Sequence, residues 1–179
     1  CPKCQAQARE RWLPAREQEL LDVPYVHVVF TLPHALLPLC YRNATQVYTW
    51  LFQASAATLK EVAANPRHLG AEIGGLSILH TWGQTLVRHP HVHCVVPAGG
   101  LAPDGARWVP ARPGFFLPLP VLRQVFRGKL VAGLRAAAAQ GRLSYPGALA
   151  PLGTPGAFRA FLRSLYRQAW VVYAKPPFG

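Results

Sequence analysis

Between Pro24 and Leu32 the chain alternates: Val26, Val28, Phe30 and Leu32 on one side, Tyr25, His27, Val29 and Thr31 on the other. A period of two is that of a strand with one face buried, so residues 24–32 read as a half-buried strand closed by Pro33. A helix follows over residues 43–64. Asn43 or Thr45 can cap it, Val47, Leu51, Leu59 and Val62 mark its apolar face, and Asn65-Pro66 ends it. Gly74-Gly75 opens a second strand over residues 76–82, and a third runs over residues 91–97. Gly99-Gly100 and Asp104-Gly105 read as turn signals, with Arg107-Trp108-Val109 as a short returning strand.

The last third carries a helical period. Pro120 suits a first turn, and Leu122, Val125, Phe126, Leu130 and Leu134 recur at three and four residues beside Arg123, Arg127 and Arg135. After a Pro/Gly-rich loop the pattern resumes with Phe158, Phe161, Leu162, Leu165, Tyr166 and Ala169. Arg159, Arg163 and Arg167 form a basic stripe beside it. Strand, helix, a group of strands and then helices, with no regular βαβ alternation, predicts an α+β fold with a mostly antiparallel central sheet. The three longer strands should share one layer, with helix 43–64 on the face turned away from His91 and His93. Residues 5–22 mix charges of both signs and read as a short exposed helix or a linker.

Charge changes the picture. Lys and Arg number 19 against 7 Asp and Glu, a net charge of +12 that suits a polyanionic partner. Residues 1–22 hold four basic and four acidic groups, residues 23–119 six and three, and residues 120–179 nine basic groups and no acid. The last third is therefore the electrostatic footprint, and Arg123, Arg127, Arg159, Arg163 and Arg167 are its candidate nucleic-acid contacts. The apolar stretch from Val23 to Cys40 is interrupted by Pro24, His27, Pro33, His34 and Pro38, so it predicts no membrane span.

The candidate chemistry lies in Arg88-His89-Pro90-His91-Val92-His93-Cys94-Val95-Val96-Pro97. On a strand His91 and His93 point the same way, about 7 Å apart, as two ligands of one ion would, while Val92, Cys94 and Val96 enter the core. A third ligand is open among His80, Gln84, His27 and His89, with His80 or His27 preferred. Cys94, facing the core, is read as inert. Cys1-Pro2-Lys3-Cys4 supplies half of a four-ligand zinc site. The chain starts on Cys1, contains no Met, and stops at Pro176-Pro177-Phe178-Gly179 after an apolar run, so it reads as a piece of a longer protein.

Several segments together resemble the rolling-circle, two-tyrosine transposases of bacterial insertion sequences, a branch of the HUH endonucleases. They are Tyr25-Val26-His27-Val28-Val29-Phe30-Thr31-Leu32-Pro33, Leu79-His80-Thr81-Trp82-Gly83-Gln84, His89-Pro90-His91-Val92-His93, Gly99-Gly100-Leu101, Phe126-Arg127-Gly128-Lys129 and Tyr173-Ala174-Lys175-Pro176-Pro177-Phe178-Gly179. The resemblance implies an HUH-endonuclease-like sheet with helices on one face. It implies residues 1–22 as the remnant of an N-terminal zinc-binding domain plus linker, with zinc at Cys1 and Cys4, and residues 23–179 as the catalytic domain. It also implies a divalent ion, Mg²⁺ or Mn²⁺, on His91 and His93, single-stranded DNA as partner, a bacterial cytoplasmic setting, and DNA cleavage and transfer through a 5′-phosphotyrosine link.

The family's two nucleophilic tyrosines are separated by three residues on a helix that follows the Pro-Pro-Phe-Gly segment. Tyr166 and Tyr173 do not match that spacing, so Tyr166 reads as a core residue and no catalytic tyrosine is assigned within the chain. A non-catalytic single-strand-binding module, with stacking by Trp82, Trp108 or Trp170, is the alternative. A barrel hydrolase is disfavoured, since that fold needs about 250 residues. The expected behaviour of residues 1–179 is binding of single-stranded DNA without a covalent adduct in Mn²⁺. An adduct on a denaturing gel, lost in Tyr166→Phe or Tyr173→Phe, would place the nucleophile inside the chain.

Overall fold

The structure, a computed structural model, describes residues 2–82 and 88–178, without the side chains of residues 2–5. Gln84 therefore lies outside the described residues, as do Cys1 and the side chain of Cys4. The described chain opens with α1 (Pro2–Glu17), whose described side chains are almost all exposed. With charges of both signs and Pro14 inside it, α1 presents no apolar stripe to a core.

Four strands form the main sheet: β1 (Tyr25–Thr31), β2 (Leu76–Trp82), β3 (Arg88–Pro97) and β6 (Val171–Ala174). Their order is β2-β3-β1-β6, and every neighbouring pair is antiparallel. The predicted single layer is thus observed, with β3 and β1 in its middle. Strand alternation divides it cleanly. Val26, Val28, Phe30, Val92, Cys94, Val96 and Val172 are buried on one face. His27, Val29, Thr31, His91, His93 and Val95 lie on the other, in the register Val29 opposite His93 and Thr31 opposite His91. At roughly 25 cal/mol per Å², this row of buried Val, Phe and Cys side chains fixes the register, because a slip by one residue would turn it all outward.

β3 starts three residues earlier than predicted and includes Pro90, which cannot donate to a ladder. A central strand tolerates it here because the β2–β3 register shifts between His80 and Trp82, and pairing with β1 ends at Thr31 opposite His91. Pro90 instead accepts, through its carbonyl, a hydrogen bond from the Leu32 N–H at 3.3 Å.

The buried face is covered by α3 (Ala44–Ala64) and α4 (Leu119–Ala139), with α5 (Pro155–Leu165) packed on α4. Phe126 of α4 sits 4.9 Å from Phe30 of β1, ring to ring, and Trp170 meets Phe126 edge-on at 5.5 Å. Lys129 pairs with Glu61 at 2.5 Å, linking α4 to α3. The helices thus occupy one face, as predicted, and leave the histidine face without a helical cover among the described residues. No described helix is long and apolar enough to cross a membrane.

Four readings of the sequence are corrected. Asn43 precedes α3 but does not cap it. It is buried, and its side chain donates to the carbonyls of Leu39 and Ser144 (3.0 and 2.9 Å) while accepting from the Ser144 N–H at 2.7 Å, so it ties the short helix α2 (Leu37–Arg42) to a distant loop. Gly99 and Gly100 are not a turn: they begin β4 (Gly99–Leu101), which pairs with β5 (Trp108–Pro110). Glycine is needed there for close approach, since a side chain on Gly99 would meet the Trp108 ring and one on Gly100 the Glu72 carbonyl.

Arg167 is not on the helix that carries Arg159 and Arg163, because α5 stops at Leu165. The buried Trp170 donates its indole N–H to the Leu165 carbonyl at 2.8 Å, satisfying a helix-end acceptor and turning the chain toward β6. Tyr166, just past that end, is 44% exposed rather than a core residue.

Asn43→Ala removes three hydrogen bonds made by a buried amide, so urea denaturation should show a loss of about 2–3 kcal/mol. Thr49→Ala, which removes one hydroxyl bonded to the exposed Thr45 carbonyl, should cost well under half of that.

Candidate metal centre

Three strands bring histidines to one patch of the open face. His91 and His93 project from β3 at the two-residue spacing the sequence predicts, and both are half-buried. His80 of β2 is directly opposite His91 in the ladder, next to the register shift. One ligand atom from each of His80, His91 and His93 lies within 4.8 Å of the others. Ring centroids are 4.2 Å apart for His80 and His93, 4.8 Å for His91 and His93, and 5.4 Å for His80 and His91. Imidazole bonds to one ion of about 2.1 Å would need these nitrogens to close in only slightly by side-chain rotation.

Hydrogen bonding selects which nitrogens are free. The Nδ1 of His91 bonds the carbonyl of His89, and a carbonyl can only accept, so the proton is on Nδ1 and the Nε2 lone pair is available. His93 Nδ1 lies 2.6 Å from His27 Nε2, whereas its own Nε2 is buried without a partner. A buried imidazole nitrogen without a hydrogen-bond partner, facing two other imidazoles, fits a cation in the tautomer that leaves its lone pair free. The donor set, neutral nitrogen with no carboxylate in the cluster, suits a first-row divalent ion.

Electrostatics keeps His93 neutral. Burial, with His80, His91 and His27 adding repulsion, pushes His93 down from 6.5 to about 4. His27 is lowered by burial first, then by Lys175 and His80, and His89 by burial, His91 and His34. Metal binding to His93 therefore displaces no proton near neutral pH. Cys94 and Cys40 are buried, and burial raises both thiols to about 11, which agrees with the reading of Cys94 as inert.

His27 and His89 do not join the cluster of ligand atoms, although His27 touches His93. Tyr173 of β6 is opposite Val29, which is opposite His93, so Tyr173 lies in the same cross-strand row two strands away and is 51% exposed. Trp82, beside the cluster on β2, is 61% exposed. Sequence reasoning named Trp82 as a stacking residue but missed the placement of Tyr173, which depends on a strand pairing that no local pattern encodes.

The arginines are elsewhere. Arg123 and Arg127 lie on α4 and Arg159 and Arg163 on α5, in the layer across the sheet from the histidines. Arg127 is engaged within the protein: its guanidinium lies 4.9 Å from the Tyr166 ring centre and donates to the Tyr166 carbonyl at 3.4 Å. Arg159 and Arg163 are exposed, and with Arg135 they border a cavity of about 560 Å³ between α4 and α5.

Residues 74–179 match a family model described as "Putative transposase", and residues 1–32 match one described as "Transposase zinc-binding domain". The chain is 52% identical over its whole length to "Putative transposase y4qJ" of Sinorhizobium fredii, covering 45% of that protein. It is 39% identical over 59% of its length to "Transposase for insertion sequence element IS801" of Pseudomonas savastanoi pv. phaseolicola, covering 25% of that protein. The chain thus spans less than half the length of these relatives. Among solved structures it is similar to the conjugative relaxase TrwC in complex with oriT DNA, metal-bound, at 13% identity and a TM-score of 0.46, over 82% of this chain and 65% of that one.

The lowered His93 has a signed consequence. A group whose folded value is depressed contributes stability that is present above its unfolded value and is lost as pH falls through the folded one. The metal-free chain should lose stability from about pH 6.5 toward about pH 4, and His93→Gln should flatten part of that slope in urea titrations. An unchanged slope in His93→Gln would show that His93 is not held neutral by its surroundings.

Proposed function

Since the chain belongs to the transposase family whose model its residues 74–179 match, we propose that the histidine patch is the metal centre of a single-strand DNA cleaving and transferring enzyme. The observation that carries this reading is the convergence of His80, His91 and His93 on an open sheet face, with the His93 Nε2 buried and without a hydrogen-bond partner. His80, His91 and His93 would hold Mg²⁺ or Mn²⁺, which when bound would polarise a phosphate oxygen of the scissile diester. Three neutral imidazoles would leave the ion its full double charge beside the single negative charge of a phosphodiester, which favours charge developing in the transition state.

The chain's own residues hold and orient the strand. The open face admits an extended strand, and the exposed rings of Trp82 and Tyr173 flank the patch as stacking surfaces for bases. Lys175, whose N–H donates to the His27 carbonyl at 3.0 Å, adds positive charge on the same side. In the chemistry of this class a tyrosine oxygen attacks phosphorus, the bond to the 3′ oxygen breaks, and the products are a 5′-phosphotyrosine and a 3′-hydroxyl. The diester energy is conserved, so rejoining needs no nucleotide cofactor. Zinc at Cys1 and Cys4 belongs to the same reading, through the match of residues 1–32 to the transposase zinc-binding domain.

Arg123, Arg159, Arg163 and Arg167 would engage a part of the DNA remote from the cut, because their layer faces away from the patch. Arg127 is withdrawn from the contact set by its packing on Tyr166.

The test is thermal. With Cys1 and Cys4 replaced by Ser, Mn²⁺ at 100 times its Kd should stabilise the chain by about 2.7 kcal/mol. His91→Ala with His93→Ala should abolish the shift in melting temperature, and His80→Ala should reduce it. A chain that binds single-stranded DNA but shows no Mn²⁺ shift would instead be the non-catalytic binding module.

A further inference from the structure

His27 satisfies the geometry of a support rather than of a ligand. It projects from β1 onto the histidine face, and because Val29 is opposite His93, His27 is the diagonal neighbour of His93 across an antiparallel pair. Its Nε2 is 2.6 Å from the His93 Nδ1, and the rings are within 16° of parallel with centroids 4.8 Å apart. A nitrogen–nitrogen separation that short is incompatible with face-to-face stacking. The rings meet edge to edge in a hydrogen bond.

One proton is shared in that bond, and its position decides what His93 can do. If His27 donated, the His93 proton would lie on Nε2, an atom that is buried without an acceptor and that could then bind no metal. If His93 donates from Nδ1, Nε2 carries a lone pair directed toward His80 and His91. We propose that His27 is a positioning residue: its Nε2 accepts the His93 Nδ1 proton and thereby holds His93 in the metal-ready tautomer and ring orientation. His91 is oriented in the same manner by a backbone carbonyl, that of His89. His27 gives His93 what the main chain gives His91, and does so without placing a carboxylate beside the ion.

This inference rests on the metal-centre reading above, and the experiment separates the two. In the full chain with Cys1 and Cys4 replaced by Ser, Mn²⁺ affinity is measured by calorimetry for the parent, His27→Gln and His27→Leu. Gln offers an amide oxygen as acceptor and Leu offers none. His27→Leu should weaken Mn²⁺ about 10–100-fold, and His27→Gln should stay within a few-fold of the parent. Nitrogen-15 spectra of the metal-free chain should show the His93 proton on Nδ1 in the parent and in His27→Gln, and a tautomer mixture in His27→Leu.

Circular dichroism of both variants verifies that the sheet persists, and the Gln variant keeps the test valid if Leu disturbs it. Equal Mn²⁺ affinity in parent and His27→Leu would overturn the role of His27 while leaving the metal centre standing. So would equal losses in Gln and Leu, which would make His27 a ligand. A parent chain that binds no Mn²⁺ would overturn the metal centre and this role together.

Discussion

The two-residue period of β3, held between β2 and β1, is the constraint on which the other features depend. It sends Val92, Cys94 and Val96 into the helical layer and, by the same step, His91 and His93 to the opposite face. Burial of the first set is what fixes the second, because the register that hides the apolar residues is the only one that aligns His80 with His91 and His27 diagonally with His93. The site is thus a by-product of core packing. No loop is required to hold its ligands, which favours precise geometry.

The same division separates two kinds of chemistry. Among the described residues the histidine patch is on the uncovered face, and the arginines of α4 and α5 are on the covered one. A single strand at the histidines would meet aromatic rings and Lys175, and the basic helices would meet other phosphates. An anionic partner long enough to pass around the sheet is needed to use both.

Much of this was legible in the sequence because it is local. Alternation in residues 24–32 and 91–97 marked the core and solvent faces, and the His-x-His spacing placed two ligands on one side. What pairing decides was not legible. That His80, rather than His27 or His89, completes the cluster follows from the β2–β3 register, and that His27 instead braces His93 follows from the β1–β3 register. The basic stripe was overextended for a related reason: period alone continued through Arg167, whereas Trp170, which packs on Phe126 and binds the Leu165 carbonyl, ends the helix two residues before it. Tyr166 was misplaced by the same error. Asn43 has the residue type of a cap, which is a local feature, yet its partner Ser144 lies 101 residues away in the chain.

The central claim is that one divalent ion is held by two neighbouring strands, through His80 of β2 and His91 and His93 of β3. The most direct measurement is an anomalous difference map, collected at the manganese edge, from crystals of the chain soaked in Mn²⁺. The account predicts one peak bonded by ring nitrogens of His80, His91 and His93, with His27 in contact with His93 Nδ1 and not with the ion. A soaked crystal with no peak at this patch, or a peak bonded to His27 with His93 Nε2 left free, would contradict it.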